Sequence, residues 1–150
     1  MLMKVAEFER LFRLAAGLDV DKNDLKRLSD FLRNKLYDLL VVAERNARYN
    51  GRDIVLEPDL PVTKGLQETL KEFRQMDTQL ELKPVLDALS ALPPLDLAVS
   101  EDVQNLLPEL AGALVVAYAR VLKELDPGPQ EPPNLPSRKG RTGLQPPSLT

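Results

Sequence analysis

The chain contains no cysteine, no histidine and no tryptophan among its 150 residues. Without cysteine and histidine there can be no disulfide framework, zinc finger, imidazole-ligated haem, Ser-His-Asp triad or thiol nucleophile. The glycine patterns that cradle phosphate, GxGxxG and GxxxxGK followed by Ser or Thr, are missing, as is the nucleophile elbow GxSxG. Long apolar runs are missing too. The longest, Ala113–Ala119, is far shorter than a bilayer span requires. The start, Met1-Leu2-Met3-Lys4, leads straight into an amphipathic stretch, not into a basic segment, apolar run and cleavage site. These absences predict a cytoplasmic protein that is not an enzyme, uses no cofactor and has no membrane partner.

What is present suits one compact domain, 43% hydrophobic and 29% charged. Its charge and proline are unevenly placed. Residues 127–150 hold 7 of the 13 prolines, with Arg138, Lys139 and Arg141 against Glu131 alone, the composition of a disordered tail. Residues 1–126 carry 17 basic and 22 acidic side chains, a net of −5. Within them residues 1–56 come to +2 and residues 57–126 to −7, so the body is dipolar and not a polycation.

Spacings of three and four residues predict an all-α body. Val5, Phe8, Leu11, Phe12 and Ala15 form one stripe over residues 5–16, closed by Gly17. Asp21 is placed to cap a helix to about residue 50, with Leu25, Leu28, Leu32, Leu36, Leu39, Ala43 and Ala47 on one face. At 1.5 Å per residue that helix is roughly 43 Å long. After the short, β-branched stretch around Ile54-Val55, Pro58 should open a third helix reaching about Met76, its first half weakened by Pro61 and Gly65. Pro84–Leu92 reads as a short helix ended by Pro93-Pro94, and Ser100 as the cap of a last helix to about Leu125, which Pro108 should kink or split.

An internal repeat emerges. Shifting the chain by 74 lays Leu32, Leu36, Leu40, Val41, Val42 and Ala43 on Leu106, Leu110, Leu114, Val115, Val116 and Ala117. Leu18-Asp19-Val20 resembles Leu95-Asp96-Leu97, and the short helix before each loop repeats with it. In this register Tyr37, Asp38 and Leu39 stand opposite Ala111, Gly112 and Ala113, so bulky groups on one long helix could fill space left by small ones on the other. Alternatively, Gly112 marks only a bend beside Pro108.

A long helix flanked by shorter ones cannot bury its own apolar faces, so the two copies must pair. Ala16-Gly17 closes the first helix, Val20-Asp21 opens the long one, Gly51-Arg52 lies in the second loop, and Arg52 precedes Asp59 by seven residues. These residues resemble the histone fold, in which an Arg–Asp pair at that spacing joins the second loop to the third helix. With both copies in one polypeptide, the chain resembles the bacterial tandem histone-fold proteins, whose single chain forms a pseudo-dimer. The resemblance covers residues 1–126, with unit one over about 1–76 and unit two over about 83–126. It departs at Pro127, where the fold calls for another loop and third helix. The second unit is therefore truncated or its third helix supplied differently, leaving an apolar edge near Leu122 and Leu125 that another copy could cover.

The resemblance raises the question of DNA, since histones hold phosphates with loop backbone, helix N-termini and Arg or Lys. Candidate contacts are Lys22, Lys26, Arg45, Arg48 and Arg52, provided that they share a face. Asp19 in the first loop and Asp53 in the second would repel phosphate, and Arg52 is better used in pairing with Asp59. Arg138, Lys139 and Arg141 could touch DNA or an acidic surface, although three charges also suit a solubilising linker end.

Other chemistry finds little support. Asp19-Val20-Asp21-Lys22-Asn23-Asp24 begins like a calcium loop but has Asp24 where the turn needs glycine, so Asp21 reads as a cap. Glu57/Asp59 and Glu101/Asp102 sit at helix starts and suit a dipole role. Phe8, Phe12, Phe31, Phe73, Tyr37 and Tyr118 fall on apolar stripes and are expected in the core; Tyr49 is unassigned. The sequence thus predicts a non-enzymatic structural or protein-interaction module with at most weak DNA association; the alternative is a nucleoid-associated protein that binds or compacts DNA.

Overall fold

A computed structural model describes residues 1–125 of the 150. The expected tail, with Arg138, Lys139 and Arg141, lies outside the described residues, as does whatever follows the last long helix. The described chain is mostly helical. Helix α1, Val5–Ala16, starts where the Glu7 carboxylate accepts the Lys4 N–H at 2.7 Å, and buries Phe8, Leu11, Phe12 and Ala16. Gly17 ends it at φ 66°, a left-handed turn that lets its N–H reach the Arg13 carbonyl. Leu2 and Met3 are also buried, and the Leu2 N–H donates to Ser29 Oγ at 2.9 Å. Nothing in the periodicity had placed that N-terminal stretch in the core.

The first long helix is shorter than its apolar pattern predicts. Asp21 accepts the Asn23 N–H and caps a 3-10 turn, Lys22–Asp24, before helix α2 runs from Leu25 to Tyr49. Strand β1, Ile54–Val55, and a 3-10 turn at Glu57–Asp59 follow. The expected helix from Pro58 does not form there: Leu60, held extended by the proline after it (φ −66°, ψ 130°), breaks it. Helix α3, Lys64–Gln75, starts afresh where Thr63 Oγ1 accepts the Leu66 N–H. Helix α4 spans Leu82–Leu89, which puts Pro84 in its first turn, where a missing N–H costs nothing. It ends three residues earlier than the sequence suggests.

Strand β2, Ala98–Val99, pairs in parallel with β1, Ile54 opposite Ala98 and Val55 opposite Val99, and the Ser100 N–H extends the ladder to the Val55 carbonyl. Ser100 then caps helix α5, Glu101–Leu125, its Oγ accepting the Val103 N–H. Pro108 does not split α5. It sits buried within a continuous helix, leaving only the Gln104 carbonyl without its helical donor.

Helix α5 packs against α1, α2, α3 and α4, with Val103, Leu107, Leu110, Val115 and Ala119 fully or almost fully buried. It is long and apolar enough by composition to cross a membrane, yet half of that stretch is buried within this fold, where a helix apolar on more than one side belongs. The rings of Phe31 and Tyr118 lie 5.8 Å apart, while Leu40 and Leu107 line one cavity. The two long helices therefore run in opposite senses.

Two expectations about their pairing are corrected. The neighbour of Gly112 is Phe73 of α3, not Tyr37 or Asp38: a Cβ at Gly112 would stand 2.6 Å from Phe73 Cδ1 and closer still to Cε1 and Cζ. Tyr37 instead donates to the Pro93 carbonyl, and Asp38 is exposed. The sequence register of 74 is not the register of burial either, because it lays exposed Val41 on buried Val115. The buried set Leu32, Leu36, Leu40 and Glu44 corresponds to Leu107, Ala111, Val115 and Ala119, one residue further on.

Candidate functional site

Among the described residues, the paired strands β1 and β2 gather most of the buried polar chemistry, Glu44 and Asp59 against Ser29 elsewhere. Asp59, 2% exposed, accepts Arg52 through both carboxylate oxygens, at 2.5 and 2.7 Å, and the Leu56 N–H at 2.8 Å. Asn46, one turn before the end of α2, donates to the Asp59 carbonyl. On the other loop, Glu44 accepts the Leu97 N–H at 2.7 Å, and Arg48 reaches Asp96 at 3.1 Å. The last two turns of α2 thus hold both loops, through Asn46 on one side and Glu44 and Arg48 on the other.

The Arg52 guanidinium holds the Asp59 carboxyl below the ordinary carboxylate range, against burial, which would raise it. Arg120 does the same for Glu72. A carboxylate depressed in the folded state contributes stability above its unfolded value near 4, and that contribution disappears as pH falls through the folded value. With no histidine in the chain, no side chain has an ordinary value between about pH 5 and 8. Thermal stability is expected to stay flat across that window and to fall below about pH 4; melting temperatures across a pH series measure it.

The five candidate DNA contacts do not converge. Lys22 and Lys26 lie at one end of α2, and Arg45, Arg48 and Arg52 at the other, with about 28 Å of helix between Lys26 and Arg45. Lys26 pairs with Asp30, Arg48 with Asp96 and Arg52 with Asp59. Among the described residues, Lys22 and Arg45 take part in no ion pair. The calcium-like loop is spoken for: Asp21 caps, and Asp24 lies 3.4 Å from Arg27.

Of the aromatic side chains placed in the core, Phe8, Phe12 and Phe73 are buried, and Tyr37 and Tyr118 half-buried. Phe31 is not: it is 45% exposed, with Lys35 Nζ 5.3 Å from its ring centre. Tyr49 is 86% exposed. Sequence reading also missed Arg120, which pairs with Glu72 at 2.5 Å and lies 3.4 Å from the Ala15 carbonyl, tying α5 to α3 and to the end of α1. No local pattern could have linked residues 48 and 105 positions apart.

This arrangement has close counterparts. A crystal structure of ttk003001566 from Thermus thermophilus superposes with a TM-score of 0.85 at 85% identity, over 88% of this chain and 89% of that one. A crystal structure of protein AQ328 from Aquifex aeolicus does so with a TM-score of 0.69 at 26% identity, over 81% of each. An Aquifex aeolicus protein described as uncharacterized is 32% identical over 139 residues, 84% of this chain and 81% of its own length. The family model described as a domain of unknown function, DUF1931, matches residues 8–137, and the chain belongs to that family.

Proposed function

We propose that the chain is a single-chain histone pseudo-dimer, a non-enzymatic structural or protein-interaction module of the cytoplasm with at most weak, salt-sensitive affinity for DNA. The order of elements supports the architecture. Helices α1, α2 and α3 make one short-long-short unit, and α4 and α5 supply the short and long helices of a second. The loop after the first long helix pairs in parallel with the loop before the second, and Arg52 clasps Asp59 beside that junction.

One observation carries the preference for a structural role: two of the three cations beside the paired loops are already paired, Arg48 with Asp96 and Arg52 with Asp59, which leaves Arg45 alone there. Binding by counterion release needs several free cations in one site. The second reading, a DNA-binding or DNA-compacting nucleoid protein, draws on exposed Arg45 and the capped N-terminus of α5 at the same junction. A mobility shift with random duplex DNA separates the two. No retardation at submicromolar protein in physiological salt is expected. Retardation there, weakened by Arg45→Ala and strengthened by Asp53→Lys, would establish the DNA reading instead.

A further inference from the structure

Helix α5 carries α3 on one of its faces. Glu109 pairs with Arg74 at 2.6 Å, Gly112 receives the Phe73 ring and Arg120 pairs with Glu72. By burial, Leu107, Ala111, Val115 and Ala119 correspond to Leu32, Leu36, Leu40 and Glu44, which puts Asn34, Tyr37, Val41 and Arg45 in the places of Glu109, Gly112, Val116 and Arg120. Tyr37 is turned to the Pro93 carbonyl. The rest of that seat is open on α2: Val116 is fully buried, whereas Val41 is 42% exposed, and Asn34 and Arg45 are exposed as well.

We infer that this outer face of α2 docks a second copy of the chain, the two α2 helices crossing antiparallel about a twofold axis between Val41 and Val42. Positions equally far from the axis then meet, and each contact occurs twice. Val41 meets Val42, Asp38 meets Arg45 and Asn34 meets Tyr49 of the second copy. These groups are available. Among the described residues Asp38 and Arg45 take part in no ion pair, although Lys26, Arg27, Arg33 and Arg48 of the same helix all do. Tyr49 is 86% exposed, and Asn34, whose Oδ1 accepts Arg33 at 3.2 Å, keeps its amide N–H groups for the phenol oxygen.

The order of charges specifies both the occupant and its direction. Acid and base stand at equal distances on either side of the valine pair, so the same face, reversed, is its own complement. Laid parallel and in register, it would set Asp38 against Asp38 and Arg45 against Arg45, and like charges oppose that arrangement. Val41 and half-buried Val42 supply the apolar centre between the charges. One helix laid on another from Asn34 to Tyr49, ~22 Å of contact, buries less than the about 800 Å² per partner typical of stable complexes. The dimer is therefore weak, favoured by high concentration and low salt.

Sedimentation equilibrium of the full-length chain from about 10 μM to about 1 mM tests the pairing. The parent is expected to pass from monomer towards dimer over that range at low salt, and less so at high salt. Asp38→Arg or Arg45→Asp alone sets like charges opposite one another twice and should weaken the dimer more than about tenfold. An equimolar mixture of the two variants brings opposite charges together again and should recover it, as should the double variant Asp38→Arg/Arg45→Asp. Both positions are exposed, so circular dichroism melts of all variants should stay close to the parent's. A parent that remains monomeric throughout overturns the proposal. So does a dimer that both single reversals leave intact, which would sit on another surface, or a mixture and a double variant that remain monomeric.

Discussion

Asp59→Ala is expected to lower the melting temperature by about 10 °C, the loss of roughly 3 kcal/mol in a body of this size. The carboxylate it removes is almost wholly buried and accepts three hydrogen bonds, two from Arg52 and one from the Leu56 N–H. All three are charge-assisted, the stronger kind, and in the two from Arg52 both partners carry charge. After truncation Arg52, still partly open to solvent, can turn to water, but the Leu56 N–H cannot do so without opening the turn at Glu57–Asp59. That turn positions the chain between β1 and α3, so the damage extends to both.

The partner substitution gives a different signature. Arg52→Ala leaves the Asp59 carboxylate buried without its cation, and at neutral pH its destabilisation should be at least as severe. Its deficit relative to the parent should then shrink as pH falls through the carboxylate range, because a protonated Asp59 no longer needs the guanidinium. A deficit that stays constant down to pH 3 would mean that the pair contributes nothing electrostatic. Circular dichroism melts of the three proteins over the same pH series decide it.

Gly112→Ala supplies the second large effect, and its sign is the informative part. On helix propensity alone, alanine in the middle of α5 would stabilise by about 1 kcal/mol. The added Cβ, however, would penetrate the ring of Phe73, a side chain 3% exposed and so without room to withdraw. Overpacking of this kind costs about 1–3 kcal/mol. Contacts this short put the penalty at the upper end of that range, so the net result expected is destabilisation of about 2 kcal/mol for alanine, and more for Gly112→Leu. Shrinking the intruding ring with Phe73→Leu should cost stability in the parent but recover part of the loss in Gly112→Ala, a non-additivity that marks direct contact. A rise in melting temperature for Gly112→Ala would disprove the close approach of α3 to α5.

The sequence disclosed elements better than neighbours. Gly17, Asp21 and Ser100 each mark a helix boundary through local chemistry, and each stands at a boundary in the structure. Arg52 and Asp59 were legible as a pair only through the resemblance to the histone fold, which supplies an Arg–Asp pair at that seven-residue spacing. Phe73 against Gly112 was not, because the apolar stripe on α3 is the same whichever small residue receives it. Phe31 stands one residue off buried Leu32, at the margin of the stripe, where its ring meets Tyr118 on one side and solvent on the other. Of the paired loops, only the β-branched half around Ile54-Val55 had a visible tendency to extend; Ala98-Val99 becomes a strand because a partner lies beside it.

The position of α5 carries a consequence for how the protein is made. Every other helix packs on it, yet it is the last of the described elements to leave the ribosome. Until it emerges, the apolar faces of the four earlier helices have no central surface on which to assemble, and β1 waits for a strand 44 residues downstream. Folding of the described body therefore waits for α5 to emerge, one cooperative event in place of stepwise growth from the N-terminus.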